Sequence, residues 1–208
     1  MNVTLIASHS KTVTQIARKY GWLPGARYTN LRDIRTFRKI GLIDIDWKHY
    51  CFERHLIAVK KTKPLFTVAR DIERIRDLEL IMEQATILKQ FAKYVIIVPK
   101  DKRIQDKLRE ITRKGFILGY SVPTKYGKTA IDISYFRGPV HLLGGRPDVQ
   151  RELANSLDVI SVDCNRFTID AAFGDYFNGS SFIRHPEGGY VTCLRESIKN
   201  ITKIWKAY

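Results

Sequence analysis

Residues 158–166 read Asp158-Val159-Ile160-Ser161-Val162-Asp163-Cys164-Asn165-Arg166, a short apolar run that ends abruptly in polar residues. The run Asp158–Val162 is continuous rather than alternating, as in a strand buried on both faces of a parallel sheet. Asp163 is the first residue beyond it. Six further segments share this form: Val3–Ala7, Gly41–Ile45, Leu65–Ala69, Tyr94–Val98, Phe116–Tyr120 and Pro139–Leu143. Helical patterns follow several of them. Arg74–Ala92 places Ile75, Leu78, Ile81, Met82, Ala85 and Leu88 at three- and four-residue steps, and Ile104–Arg113 repeats the scheme. Pro147–Leu157 predicts a helix with proline in its first turn, and Leu194–Tyr208 a final amphipathic one.

Strands alternating with helices imply a parallel α/β sheet with right-handed crossovers. Seven strands without a GxGxxG after the first favour a compact TIM-like (β/α) barrel, complete or trimmed, over an open dinucleotide-binding sheet. A chain of 208 residues suits one such domain spanning 1–208.

The net charge of +15, from 36 Lys and Arg against 21 Asp and Glu, exceeds what solubility requires and points to a polyanion such as nucleic acid. Cys51, Cys164 and Cys193 lie far apart without zinc spacing, so neither a disulfide framework nor a metal is expected, and a reducing cytoplasm suits the chain. No cofactor motif is legible. No apolar stretch approaches bilayer length, and the N-terminus lacks the pattern of a signal peptide.

In a barrel, the residues after each strand line one mouth. The rule nominates Ser8 to Ser10, Asp44 and Asp46, Asp71, Lys100, Ser121 to Lys125, Gly144 to Arg146, and Asp163 to Arg166. A carboxylate directly after a buried strand is paired, protonated or functional. For Asp163 the competing role is capping a helix over Phe167–Phe173, which Asn165 could equally supply. Gly144 and Gly145 permit either close backbone approach to an anion or a tight strand-to-helix turn. His141, within its strand, reads as a satisfied core histidine. Lys100, Lys125, Lys128, Arg146 and Arg166 are candidate phosphate contacts, and Tyr120, Tyr126 and Phe167 are aromatic groups near the mouth, Phe167 reading as packing.

Two segments, His141-Leu142-Leu143-Gly144 and Val162-Asp163-Cys164, separated by one helix, resemble the tRNA-guanine transglycosylase superfamily. That resemblance implies a TIM-type barrel in which Asp163 attacks the sugar C1′ carbon and displaces a base. It also implies base recognition by Asp71, by the strand end Gly119-Tyr120-Ser121, and by Gly144, Gly145 and Asn165. The family's Asp-Ser-Gly-Gly-Phe-Gln motif is absent, so Asp44 or Asp46 is the candidate for proton transfer. Its three-cysteine, one-histidine zinc subdomain is absent too, which favours DNA over tRNA. The expectation is a DNA glycosylase that removes a modified base, such as glucosylated hydroxymethylcytosine of phage DNA, in antiviral defence. A transglycosylase inserting a deazaguanine and a non-catalytic nucleic-acid-binding barrel are the alternatives.

Overall fold

A computed structural model describes residues 3–124 and 128–208. Eight parallel strands close into a barrel: β1 (Thr4–Ala7), β2 (Leu23–Arg27), β3 (Leu42–Asp44), β4 (Phe66–Val68), β5 (Tyr94–Ile97), β6 (Ile117–Ser121), β7 (Pro139–Leu143) and β8 (Asp158–Asp163). Closure is made by β8 against β1, with Leu5 opposite Val162. The helices are α1 (Lys11–Arg18), α2 (Phe52–Thr62), α3 (Leu78–Leu88), α4 (Leu108–Arg113), α5 (Pro147–Leu153), α6 (Arg166–Ala172) and α7 (Tyr190–Lys206). A hairpin of β9 (Asp175–Phe177) and β10 (Phe182–Arg184) precedes α7.

The TIM-like α/β barrel expected from the sequence is present in its complete eight-stranded form. The strand missing from the sequence reading is β2, Leu-Pro-Gly-Ala-Arg, whose Pro24 and Gly25 argue against a central strand. Its glycine is a packing requirement: a Cβ at Gly25 would lie 2.0 Å from Ser8 Oγ and 3.0 Å from Ile6. Only a strand without side-chain bulk there lets β1 keep its inward residues. The helices over 75–88 and 102–113 begin with a tighter 3-10 stretch, and α5 ends at Leu153 rather than Leu157.

Side chains alternate along each strand. Ile6, Leu42, Phe66, Val68, Ile96, Val98 and Ile117 form the interior cluster, while their neighbours in sequence, such as Ile43, Thr67 and Ile97, face the helices. Gly119 continues the inward series, where a Cβ would meet Ile96, Val98 and Leu143, each at 2.8 Å. Outside, α7 buries Leu194, Ile198, Ile201 and Trp205, and Thr202 accepts a hydrogen bond from Trp22 Nε1 at 2.8 Å. Phe167 is fully buried edge-on to Trp22, in the packing role read for it. His55 of α2 is also buried behind the barrel, bonded to Thr67 at 2.8 Å, and burial lowers its pKa to about 4.

Candidate active site at the C-terminal mouth

The two-residue period that makes Ile6, Leu42, Ile96 and Ile117 inward-facing carries on past the apolar segments. It directs Ser8, Asp44, Lys100 and Ser121 toward the mouth, whereas in β8 a register shift at Ile160 intervenes, after which Ser161 pairs with His141 and Asp163 with Leu143. Asp163 does not cap α6. Its Oδ1 accepts the Gly144 N–H at 3.0 Å and lies 3.3 Å from His141 Nε2. Ser161 Oγ is 2.8 Å from His141 Nδ1. With the proton on Nε2, the imidazole donates to Asp163 and accepts the serine hydroxyl. Both contacts fall on one carboxylate oxygen and leave Oδ2 outside the pair. His141, fully buried, is thus a satisfied histidine that also orients the carboxylate.

Gly144 can donate in this way because its φ is +60°, a left-handed conformation that few other residues adopt cheaply. Gly145, at φ +84°, instead meets packing: a Cβ would come within 2.3 Å of Val122. Gln150 of α5, which the sequence reading missed, ties the two strand ends together. Its Nε2 donates to the Gly144 carbonyl at 2.7 Å and to the Asp163 carbonyl at 2.9 Å. The available signal was its phase: Gln150 stands three and four residues before Leu153 and Ala154, on the apolar side of the helix, and it is fully buried there.

Asp44 and Asp46 separate clearly. Asp44 accepts the Ile45 N–H at 2.8 Å at the end of β3, and its pKa is pushed up to about 7. Burial is the main cause, followed by the negative charge of Asp163, with Asp71 adding to it and Arg27 opposing. Asp46 lies in the turn beyond, accepting the Lys48 N–H at 3.3 Å. Asp71 is half-buried, and burial raises its pKa to about 6 although the Lys100 charge opposes the rise. Lys100 Nζ donates to Ser121 Oγ. Three aspartates from β3, β4 and β8 therefore share one mouth with a lysine among them.

Other expected contacts face away from the mouth or are already engaged at it. Tyr120 is out of phase with the interior and packs behind the barrel, its ring edge-on to Phe136 with centroids 5.0 Å apart. Asn165 stands at the head of α6 without capping it, because its Oδ1 accepts the Ser8 N–H at 3.1 Å and joins β8 to β1. Arg166 is paired with Asp170 at 2.6 Å and Arg146 with Asp148 at 3.1 Å, so both guanidinium groups already hold a carboxylate. Lys128 is exposed on the loop after β6. Lys125 and Tyr126 lie outside the described residues.

Beside Asp163 a cavity of about 550 Å³ is lined by His9, Gly144, Gly145, Asn165 and Ile169 among others. A second, of about 440 Å³, shares His9 and Asn165 and adds Ser8, Arg27 and Asp33. Their combined room suits a nucleotide-sized ligand. Cys164, next to the candidate nucleophile, is buried with its thiol pKa pushed up to about 12, so it is no competing nucleophile. Among the described residues no group of three or more His, Cys, Asp or Glu is arranged to hold a metal ion, and no helix is long and apolar enough to cross a membrane.

A family model described as "Family of unknown function (DUF6610)" matches residues 17–206. Among curated proteins, none matches the chain.

Proposed function

The chain belongs to the DUF6610 family, whose function is unknown, and we propose that this member is an N-glycosylase that removes a modified base from DNA. One observation carries the reading. Asp44 keeps its proton up to about pH 7, and it faces Asp163, whose Oδ1 is bonded to Gly144. Glycosidic cleavage uses a pair of carboxyl groups, and the proton held by Asp44 supports it as the acid, with the hydrogen-bonded Asp163 as the nucleophile. The resemblance of His141–Gly144 and Val162–Cys164 to the transglycosylase strand ends supports the same roles.

In the first step Asp163 forms a bond to C1′ as the C1′–N bond breaks, and Asp44 gives its proton to the departing base. In the second, water attacks C1′, its proton passes to the Asp44 carboxylate, and the bond to Asp163 breaks to leave an abasic sugar. Asp71, Lys100 and Ser121 lie on the opposite side of the mouth, where they would bond the edge of an extruded base. Extrusion costs a few kcal/mol, and a damaged or bulky base lowers that cost.

The test is incubation with phage DNAs bearing hydroxymethylated, glucosylated or deazaguanine bases, followed by alkali treatment and mass spectrometry of released bases. Alkali-labile sites that vanish in Asp163→Ala are expected. Incorporation of labelled guanine without strand lability would replace hydrolysis by base exchange. Salt-dependent binding with no product from any polymer would leave a non-catalytic barrel.

A further inference from the structure

Residues 11–39 carry eight Lys and Arg against the single acid Asp33, a net +7 of the chain's +15. All eight cations are exposed. Among the described residues only Arg32 of this group forms an ion pair, with Asp33. Such a face repels itself, and Asp33 is the one acid within it. The face is also concave. A groove of about 600 Å³ runs between α1 and the segment 36–37, lined by Gln15, Arg18, Lys19, Thr36 and Phe37. It continues into a smaller hollow of about 260 Å³ that shares Arg18 and Phe37 and adds Lys39. The Arg18 guanidinium lies 5.4 Å above the Phe37 ring, which holds it at the wall instead of leaving it to wander.

The groove leads to the mouth. Thr12 lines its upper end, two residues from Ser10, which lines the cavity containing Ser8, Arg27 and Asn165. At the neighbouring ends of β7 and β8, Arg146 and Arg166 already hold Asp148 and Asp170 and are less available to an anion. An eight-residue helix spans about 12 Å, along which one strand of a duplex presents roughly three to four phosphates. The five cations Arg18, Lys19, Arg35, Arg38 and Lys39 are enough to give each of those phosphates a partner.

We propose that the groove between α1 and residues 34–39 is the docking track for the phosphodiester backbone of the substrate nucleic acid, delivering the target nucleotide to the mouth from the β1–β2 side. The proposal rests on the nucleic-acid reading of the site but not on its chemistry.

Binding of a fluorescein-labelled 20-base-pair duplex by the full chain tests it, measured by anisotropy from about 50 to 200 mM salt. The variants are Arg18→Gln/Arg35→Gln/Arg38→Gln/Lys39→Gln and, with the same change in net charge, Lys60→Gln/Lys61→Gln/Arg109→Gln/Arg113→Gln on the far helices. The groove variant should bind at least about tenfold more weakly, with a log–log salt slope shallower by about 3, while the other stays within about twofold. The pair Arg35→Gln/Arg38→Gln, outside α1, should show about half the slope change if the helix tolerates substitution poorly. Equal losses in both quadruple variants, or none in either, would overturn the track. So would binding to phosphatidylserine vesicles, lost in the groove variant, without duplex binding. Base release by wild type and groove variant with the same KM would remove the track and keep the glycosylase. Duplex binding lost in the groove variant, with no base released by wild type, would do the reverse.

Discussion

Asp44 shows how much one carboxyl group can reveal. Its pKa of about 7 lies above the ordinary 3.8, so the native state holds a proton that the unfolded chain has lost. That contribution to stability is complete below about pH 4 and disappears as pH rises through about 7. By pH 8 the ionised group costs about 4 kcal/mol. Asp44→Asn is therefore expected to raise the urea midpoint at pH 8 and leave it nearly unchanged at pH 4, while abolishing base release. If Asp44 is the acid, the wild-type rate falls above about pH 7, tenfold per unit once the proton is gone, which a single-turnover pH profile would record. Gly144 gives a second prediction. A methyl group there meets nothing within 4 Å, but φ of +60° strains any L-residue by about 1–2 kcal/mol. Gly144→Ala should lower stability by that amount and slow base release, through the N–H that Asp163 accepts, with little change in KM. Asp163 itself was legible as a strand-end carboxylate. Its bond to Gly144 was not, because the two residues are 19 positions apart and meet only by strand pairing.

At the scale of elements, β7 and β8 form the framework of the site, and Gln150 reaches from α5 to both of their ends. Gln150→Leu conserves volume but leaves two carbonyls without their donor, a loss of roughly 2–4 kcal/mol that urea unfolding would measure. Base release should fall together with it, and Gln150→Glu, keeping the shape but not the donors, should not restore it. Strands of Val, Ile and Leu were readable because burial on both faces demands apolar residues at every position. The unread β2 had the opposite need: Gly25 must be small where Ser8 and Ile6 crowd it, so its constraint comes from a neighbouring strand. Arg27, which β2 brings toward Asp44, was missed with it. Tyr120 failed through phase. The residue beside it, Gly119, faces inward, so Tyr120 must face Phe136.

Over the whole molecule, closure joins the first and last barrel strands, and α7 covers that seam from outside with Leu194, Ile198, Ile201 and Trp205. Truncation after Gly189 would remove this apolar stripe and expose what it covers, Trp22 and Phe177 among them. The truncated chain is expected to lose its cooperative thermal transition by circular dichroism and to bind a hydrophobic dye. What the sequence by itself determined was the α/β class, the barrel and the strand-end aspartates, since periodicity and burial are local properties that each segment states on its own. It also determined the charge excess, though not its location. Only the tertiary structure decided that Asp44 and not Asp46 faces Asp163, that Arg146 and Arg166 are engaged by Asp148 and Asp170, and that Arg18, Lys19 and Lys39 line adjoining hollows beside α1. Those outcomes depend on which strand end lies opposite which, and on which charge finds a partner nearby. Both are distances between residues remote in the chain, set by barrel closure and by no single segment.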